Sequence, residues 1–134
     1  MREEFYTRPI LAVQDVTASI NYYCEKLGFT KVWSSPDEAP IIAQVDRNGM
    51  GIILDSASVI PRASNPSVLS MTLHQADQLG ALYRELKNNG AKITATPFPV
   101  VWDEKLYQFD VEDLDGNILV FWGDAPDSLH SVSE

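Results

Sequence analysis

The chain has 134 residues and a formal net charge of −9, with ten Lys and Arg against nineteen Asp and Glu. That length suits one compact domain with a real core. An acidic balance without a Lys/Arg cluster argues against nucleic acid or an anionic membrane surface, both of which need a basic patch, and fits either a cationic ligand or plain solubility.

In chain order, Met1-Arg2-Glu3-Glu4-Phe5 lacks the basic start and apolar stretch of a secretion signal. A first strand is expected over Pro9-Ile10-Leu11-Ala12-Val13. A helix follows from about Asp15 to Leu27, where Val16, Ile20, Tyr23, Cys24 and Leu27 recur at helical spacing. Asp15 or Thr17 can cap its start, and Gly28 its end. Strands are expected over Phe29–Trp33, Ile41–Val45 and Met50–Leu54, the last two joined by Asn48-Gly49, which readily takes the two positive φ values of a tight hairpin. The stretch from Ser56 to Ser67, with Pro61 and Pro66, reads as a linker. A strand over Val68–Leu73 then leads into a helix from about Ala76 to Asn89, with Leu79, Leu82, Tyr83 and Leu86 on one face and Gly90 after it. Strands over Ala91–Thr96, Leu106–Val111 and Asn117–Trp122 complete the pattern, and Asp115-Gly116 marks the final turn. From Asp124 onward there is no periodicity, so a flexible tail is expected. No apolar run approaches the ~20 residues of a membrane helix. The lone Cys24 cannot form an internal disulfide, so the cytoplasm is the expected compartment.

The same order, strand, helix, Gly, then three strands, occurs twice, and this internal repeat is the main organising fact. It predicts an α+β fold of two βαβββ modules, about 8–55 and 68–123, as halves of one domain over 1–134. Because alternate strand residues face opposite sides, Leu11 and Val13 are assigned to the helix side, and Arg8, Ile10 and Ala12 to the other. Likewise Leu69, Met71 and Leu73 oppose Val68, Ser70 and Thr72, while Leu119 and Phe121 oppose Ile118, Val120 and Trp122. One helix covers one face of a four-stranded module, and the two uncovered faces are expected to curve together into a ligand cleft.

Two stretches carry a family resemblance. Ile10-Leu11-Ala12-Val13-Gln14-Asp15-Val16, then Ile20-Asn21-Tyr22-Tyr23 and Leu27-Gly28-Phe29, resembles the opening of a vicinal-oxygen-chelate module. Trp102, then Phe109-Asp110-Val111-Glu112-Asp113-Leu114-Asp115-Gly116-Asn117, is similar to the closing signature of the same superfamily of glyoxalases, bleomycin-resistance proteins and extradiol dioxygenases. Leu114 stands where that signature has Pro, and Asp103 where Gly often follows the Trp. The resemblance covers about Arg8 to Gly123 and implies the curved mixed-sheet cleft of that fold.

Enzymes of this superfamily chelate a divalent metal through His, Glu or Gln on the inner faces of the first and last strands of each module. The matching positions are Arg8, Ile53, Val68 and Val120. Arg offers no lone pair, and the other three have no donor atom. A shift of two residues brings in Asp55 and Ser70 but no complete set, and His74 and His130 fall outside these strands. No metal and no cofactor is therefore expected. A ligand supplied by another chain of a dimer would change that.

Cys24 on an apolar helix stripe reads as a structural thiol, and Asp113 to Asp115 as solvated turn residues. Gln108, Asp110 and Glu112 share one strand face opposite Tyr107, Phe109 and Val111, and the sequence leaves open which face meets the cleft. Arg8 can bind a carboxylate or phosphate in bidentate fashion, or it can be a strand-end Arg reaching solvent or an acidic neighbour. The leading reading is a metal-independent protein that sequesters a small aromatic or cationic molecule, as the bleomycin-resistance branch implies, in a cleft formed at a homodimer interface as in many relatives. Trp33, Trp102 and Trp122 would stack on the ligand, and Arg8, Ser70 and Thr72 would supply polar contacts, with Tyr107 and Val120 completing the lining. The alternative is a lyase, isomerase or dioxygenase using a divalent metal or acid/base chemistry by Glu112, Asp110 or Tyr107. A third reading is a non-catalytic interaction module.

Overall fold

The computed structural model describes residues 3–56, 66–73 and 75–126. The central part of the expected linker, most of the expected tail, His74 and His130 lie outside the described residues. The chain divides into two compact units between Pro66 and Ser67, and each is a βαβββ module.

In the first module, β1 (Ile10–Ala12), α1 (Val16–Glu25), β2 (Thr30–Ser35), β3 (Ile42–Arg47) and β4 (Met50–Asp55) follow in order. The sheet order is β1-β4-β3-β2. β1 runs parallel to β4, and the other pairs are antiparallel. In the second module, β5 (Val68–Thr72) leads through a single 3-10 turn (Ala76–Gln78) into α2 (Leu79–Asn88), then β6 (Lys92–Val100), β7 (Asp103–Glu112) and β8 (Ile118–Gly123). Its order, β5-β8-β7-β6, repeats the first, again with one parallel pair, β5 with β8. Both sheets are mixed and open.

Local chemistry sets the boundaries. Asp15 Oδ1 accepts from the Ala18 backbone N–H at 3.0 Å, which satisfies a donor that a helix start leaves orphaned. Gly28 and Gly90, at φ 75° and 87°, turn the chain out of the two helices. At the end of α2 the Ala91 N–H reaches Leu86 O, and the Gly90 N–H reaches Lys87 O. Asn48 and Gly49 take φ 45° and 92°, as a two-residue hairpin between twisted strands requires. The second helix begins later than its apolar spacing implies. Gln75 and Gln78 offer no side-chain cap, so the first turn tightens to 3-10 geometry.

Each helix covers one sheet face. α1 packs on β2, β3 and β4, and α2 on β6 and β8. Leu11, Val13, Tyr23, Leu27, Phe29, Ala43, Val45 and Leu54 form the first core, with Tyr23 edge-on to Phe29 at 5.5 Å. Ser19 is buried with Val16 and Tyr23 on α1, whereas Ile20 and Cys24 are only half-buried, so the inward stripe is rotated from the one expected. The second core centres on Phe109, which stacks on Phe121 at 5.1 Å and meets Tyr83 edge-on at 5.4 Å.

The final hairpin corrects the expectation of a solvated turn. Asp113 is buried, and its Oδ1 accepts from the Asp115 and Asn117 backbone N–H groups, each at 2.9 Å. Its Oδ2 accepts from Asn117 Nδ2. Asn117, fully buried, accepts in turn from the Ser67 N–H at 2.8 Å, which ties the turn to the start of β5. The turn is held by inward carboxylate and amide bonds because its backbone N–H groups have no strand partner.

Phe109 has no exposed surface and touches rings from two directions. Phe109→Ala should therefore cost about 3–5 kcal/mol in urea unfolding. A loss under about 1 kcal/mol would show that this ring is not the centre of the second core.

Candidate functional site

The sheet face opposite the helix carries polar and aromatic groups in both modules. In the first, Trp33 on β2 stands directly across from Gln44 on β3. Its indole Nε1 donates to Gln44 Oε1 at 3.0 Å, and Arg8 Nη1 donates to the same oxygen at 2.7 Å. Gln44 Nε2 donates to Asp46 Oδ1 at 2.7 Å. The Arg8 guanidinium also lies 5.0 Å from the Tyr6 ring centroid, a cation–π distance. Gln44 is 6% exposed, so the centre of the cluster is sheltered while the Trp33 and Arg8 side chains reach outward.

A strand irregularity aims Trp33. Lys31 pairs with Val45, and Trp33 with Gln44, leaving Val32 as an extra residue. Strict alternation would put Trp33 on the side of Lys31 and Val45, the helix side. The bulge turns it to the other. Gly51 makes room for the cluster, since a Cβ there would stand 3.0 Å from both Arg8 Cγ and Asp46 Oδ1 and 3.2 Å from Gln44 Nε2.

In the second module Trp122 on β8 stands across from Gln108 on β7. Its Nε1 donates to Gln108 Oε1 at 2.9 Å, and Gln108 Nε2 donates to Asp110 Oδ1 at 2.8 Å. Trp102, at the tip between β6 and β7 and 64% exposed, meets Trp122 edge-on at 5.7 Å. The registers of β7, β8 and β5 set three rows on this face: Gln108, Trp122 and Thr72; Asp110, Val120 and Ser70; and Glu112, Ile118 and Val68. Lys92 closes the last row with a 3.0 Å ion pair to Glu112.

The structure thus brings Arg8 and Trp33 together in one module, and Ser70, Thr72, Trp102, Val120 and Trp122 together in the other. Tyr107 does not join them. It precedes Gln108 and alternates with it, on the side of Phe109. Sequence reading missed Gln44, Asp46 and the role of Gln108. The signal that could have found them is a Gln-x-Asp triplet in the third strand of each repeat.

The Glyoxalase/Bleomycin resistance protein/Dioxygenase superfamily model matches residues 6–121. The chain belongs to that superfamily. None of the curated proteins compared with it matches its sequence. Among solved structures, TioX from Micromonospora sp. ML1 is similar with a TM-score of 0.75 at 16% identity, over 90% of this chain and 100% of that one. A superfamily protein from Alicyclobacillus acidocaldarius gives 0.71 at 17%, over 98% and 100%. One from Sphaerobacter thermophilus DSM 20745 gives 0.67 at 21%, over 89% and 97%. At these identities the likeness shows the shared fold.

The superfamily's metal does not fit the residues present. Arg8, at one implied ligand position, is a donor already bonded to Gln44, and Ile53, Val68 and Val120 carry no donor atom. Among the described residues no group of three or more His, Cys, Asp and Glu could hold a metal ion, and no helix is long and apolar enough to cross a membrane.

On the helix side of the first module, a groove of about 180 Å³ is lined by Thr17, Ile20, Asn21, Lys31, Asp37 and Glu38 among others. Near it, burial pushes the Cys24 thiol above its ordinary range, against the opposing pull of a Lys31 backbone hydrogen bond. A raised value leaves less thiolate at neutral pH. Cys24 should therefore alkylate more slowly than free cysteine there, its rate rising only above the usual thiol range. A faster reaction than free cysteine would overturn this reading.

Filling the space at Gly51 should press on Arg8, Gln44 and Asp46 together. Gly51→Val is expected to destabilise the protein by about 1–3 kcal/mol and to shift Trp33 emission. An unchanged melting temperature and spectrum would mean that the cluster yields freely.

Proposed function

We propose that this superfamily member is a metal-independent binding protein for a small aromatic or cationic molecule, acting by sequestration. The observation that carries the reading is the pair of indoles, Trp33 and Trp122, whose N–H groups are each consumed by a glutamine of the same module. Such a ring is held in place, and what it offers a ligand is its π-face. Pre-setting an aromatic surface lowers the ordering cost of binding, and flat or cationic ligands are what a π-face attracts. Trp102 adds a third ring. In the first module Arg8 stands beside Trp33 as a polar group; in the second, Ser70 and Thr72 are the polar groups near Trp122 and Val120 the aliphatic one.

Binding rather than turnover is supported by the misfit of the metal positions and by side chains bonded to one another in Trp–Gln–Asp chains. The protein would act as a homodimer in the cytoplasm, in keeping with a single cysteine and an acidic composition; sedimentation of the purified chain tests the dimer.

Tryptophan emission is the direct probe. Titration with aromatic cations is expected to give saturable quenching that EDTA leaves unchanged. No response to any aromatic cation, or binding that requires an added divalent metal, would overturn the proposal. So would turnover of methylglyoxal–thiol adducts or catechols.

A further inference from the structure

We infer that Asp110 selects the charge of the ligand, so that the face of the second module takes a flat aromatic ring bearing a protonated amine or amidine. This deepens the proposed binding function and rests on it. Asp110 lies in the middle row of that face, between Val120 on β8 in its own row and the Gln108–Trp122 pair two residues along β7. Its Oδ1 accepts from Gln108 Nε2 at 2.8 Å. Among the described residues no donor reaches its Oδ2 and no cation pairs with it. The other carboxylate of the strand face, Glu112, differs: Lys92 meets it at 3.0 Å.

The bond directions leave little freedom. An indole N–H only donates, and an ionised carboxylate only accepts. Gln108 between them must turn its oxygen to Trp122 and its amide nitrogen to Asp110. The ring and the carboxylate are therefore fixed to the same amide, and Gln108 is a positioning residue for both. The middle row, Asp110, Val120 and Ser70, carries smaller side chains than the row of Trp122, with Trp102 edge-on beyond. A ring laid against the indoles can thus bring a pendant or ring-borne N–H cation over the smaller row to Oδ2. Charge-assisted bonds of this kind are roughly twice as strong as neutral ones. The first module lacks this opening. There Asp46 has the same amide bond, but the cationic Arg8 is bonded to the same glutamine, which disfavours a second cation.

The test compares proflavine, cationic at neutral pH, with acridine, a similar ring that is neutral there, by quenching of tryptophan emission in the full chain. The wild type should bind proflavine on the order of tenfold or more tightly than acridine, with the preference shrinking as salt is added. Asp110→Asn keeps an acceptor for Gln108 Nε2 and so the local geometry. It should remove the proflavine advantage and leave acridine binding unchanged. Trp122→Leu should weaken both ligands. Equal binding of the two by the wild type, or a preference that survives Asp110→Asn with near-UV circular dichroism unchanged, overturns the role of Asp110 and leaves the binding function standing. If neither ring binds, the role of Asp110 is overturned, and the binding function is decided by the titration with other aromatic cations. Should Asp110→Asn fail to fold, Asp110→Ser, which is also uncharged and polar, takes its place, and the same loss of the proflavine advantage is expected.

Discussion

Each module has one helix for a sheet with two faces, and that shortage governs the rest. Every strand must supply apolar side chains to one side, where a helix waits, and something else to the other. On the helix side the answer is ordinary: Leu, Val, Tyr and Phe at close to zero exposure. On the other side, long polar chains and indoles share the face with aliphatic residues, and a buried polar group there needs a partner. The cross-strand hydrogen bonds of Gln44 and Gln108 meet that need. They satisfy the polar atoms, and they tie each indole N–H to the strand beside it.

The arrangement is built twice from the same three residue types but from different strands. In the first module the indole comes from β2, and in the second from β8. In both it stands directly across from the glutamine, where cross-strand neighbours lie closest, and the aspartate follows two residues later on the same face. Arg8 distinguishes the two. By adding a second donor to Gln44 Oε1 it fills that oxygen, while Gln108 takes one indole only. The two faces thus differ in charge although their frameworks match.

Much of this was legible in the sequence. The repeat, the helix caps at Asp15, Gly28 and Gly90, and the Asn48-Gly49 hairpin follow from local rules that tertiary context rarely overrides. The sides taken by Leu11, Leu119, Phe121 and Trp122 follow from a period of two. What escaped has one cause: it depends on register between strands. Gln44 and Asp46 look like any polar strand residues until Trp33 is known to lie opposite. Asp113 and Asn117 look solvated until Ser67 is known to be their neighbour. The shift of the α1 stripe toward Ser19 came from a small polar residue that apolar spacing cannot count.

The extra residue at Val32 reaches beyond this one chain. Where relatives share about a sixth of their residues, roles are carried between them by placing gaps in strands, and a strand with a bulge has one more residue than its neighbour can account for. If a gap falls one position away from Val32, the indole of Trp33 is matched to a core position and a core residue to the ligand face. Likeness of sequence on either side would give no warning. In this superfamily, then, the inventory of a binding face is best taken from which residues stand opposite one another across the sheet, and only afterwards from where they fall along the chain.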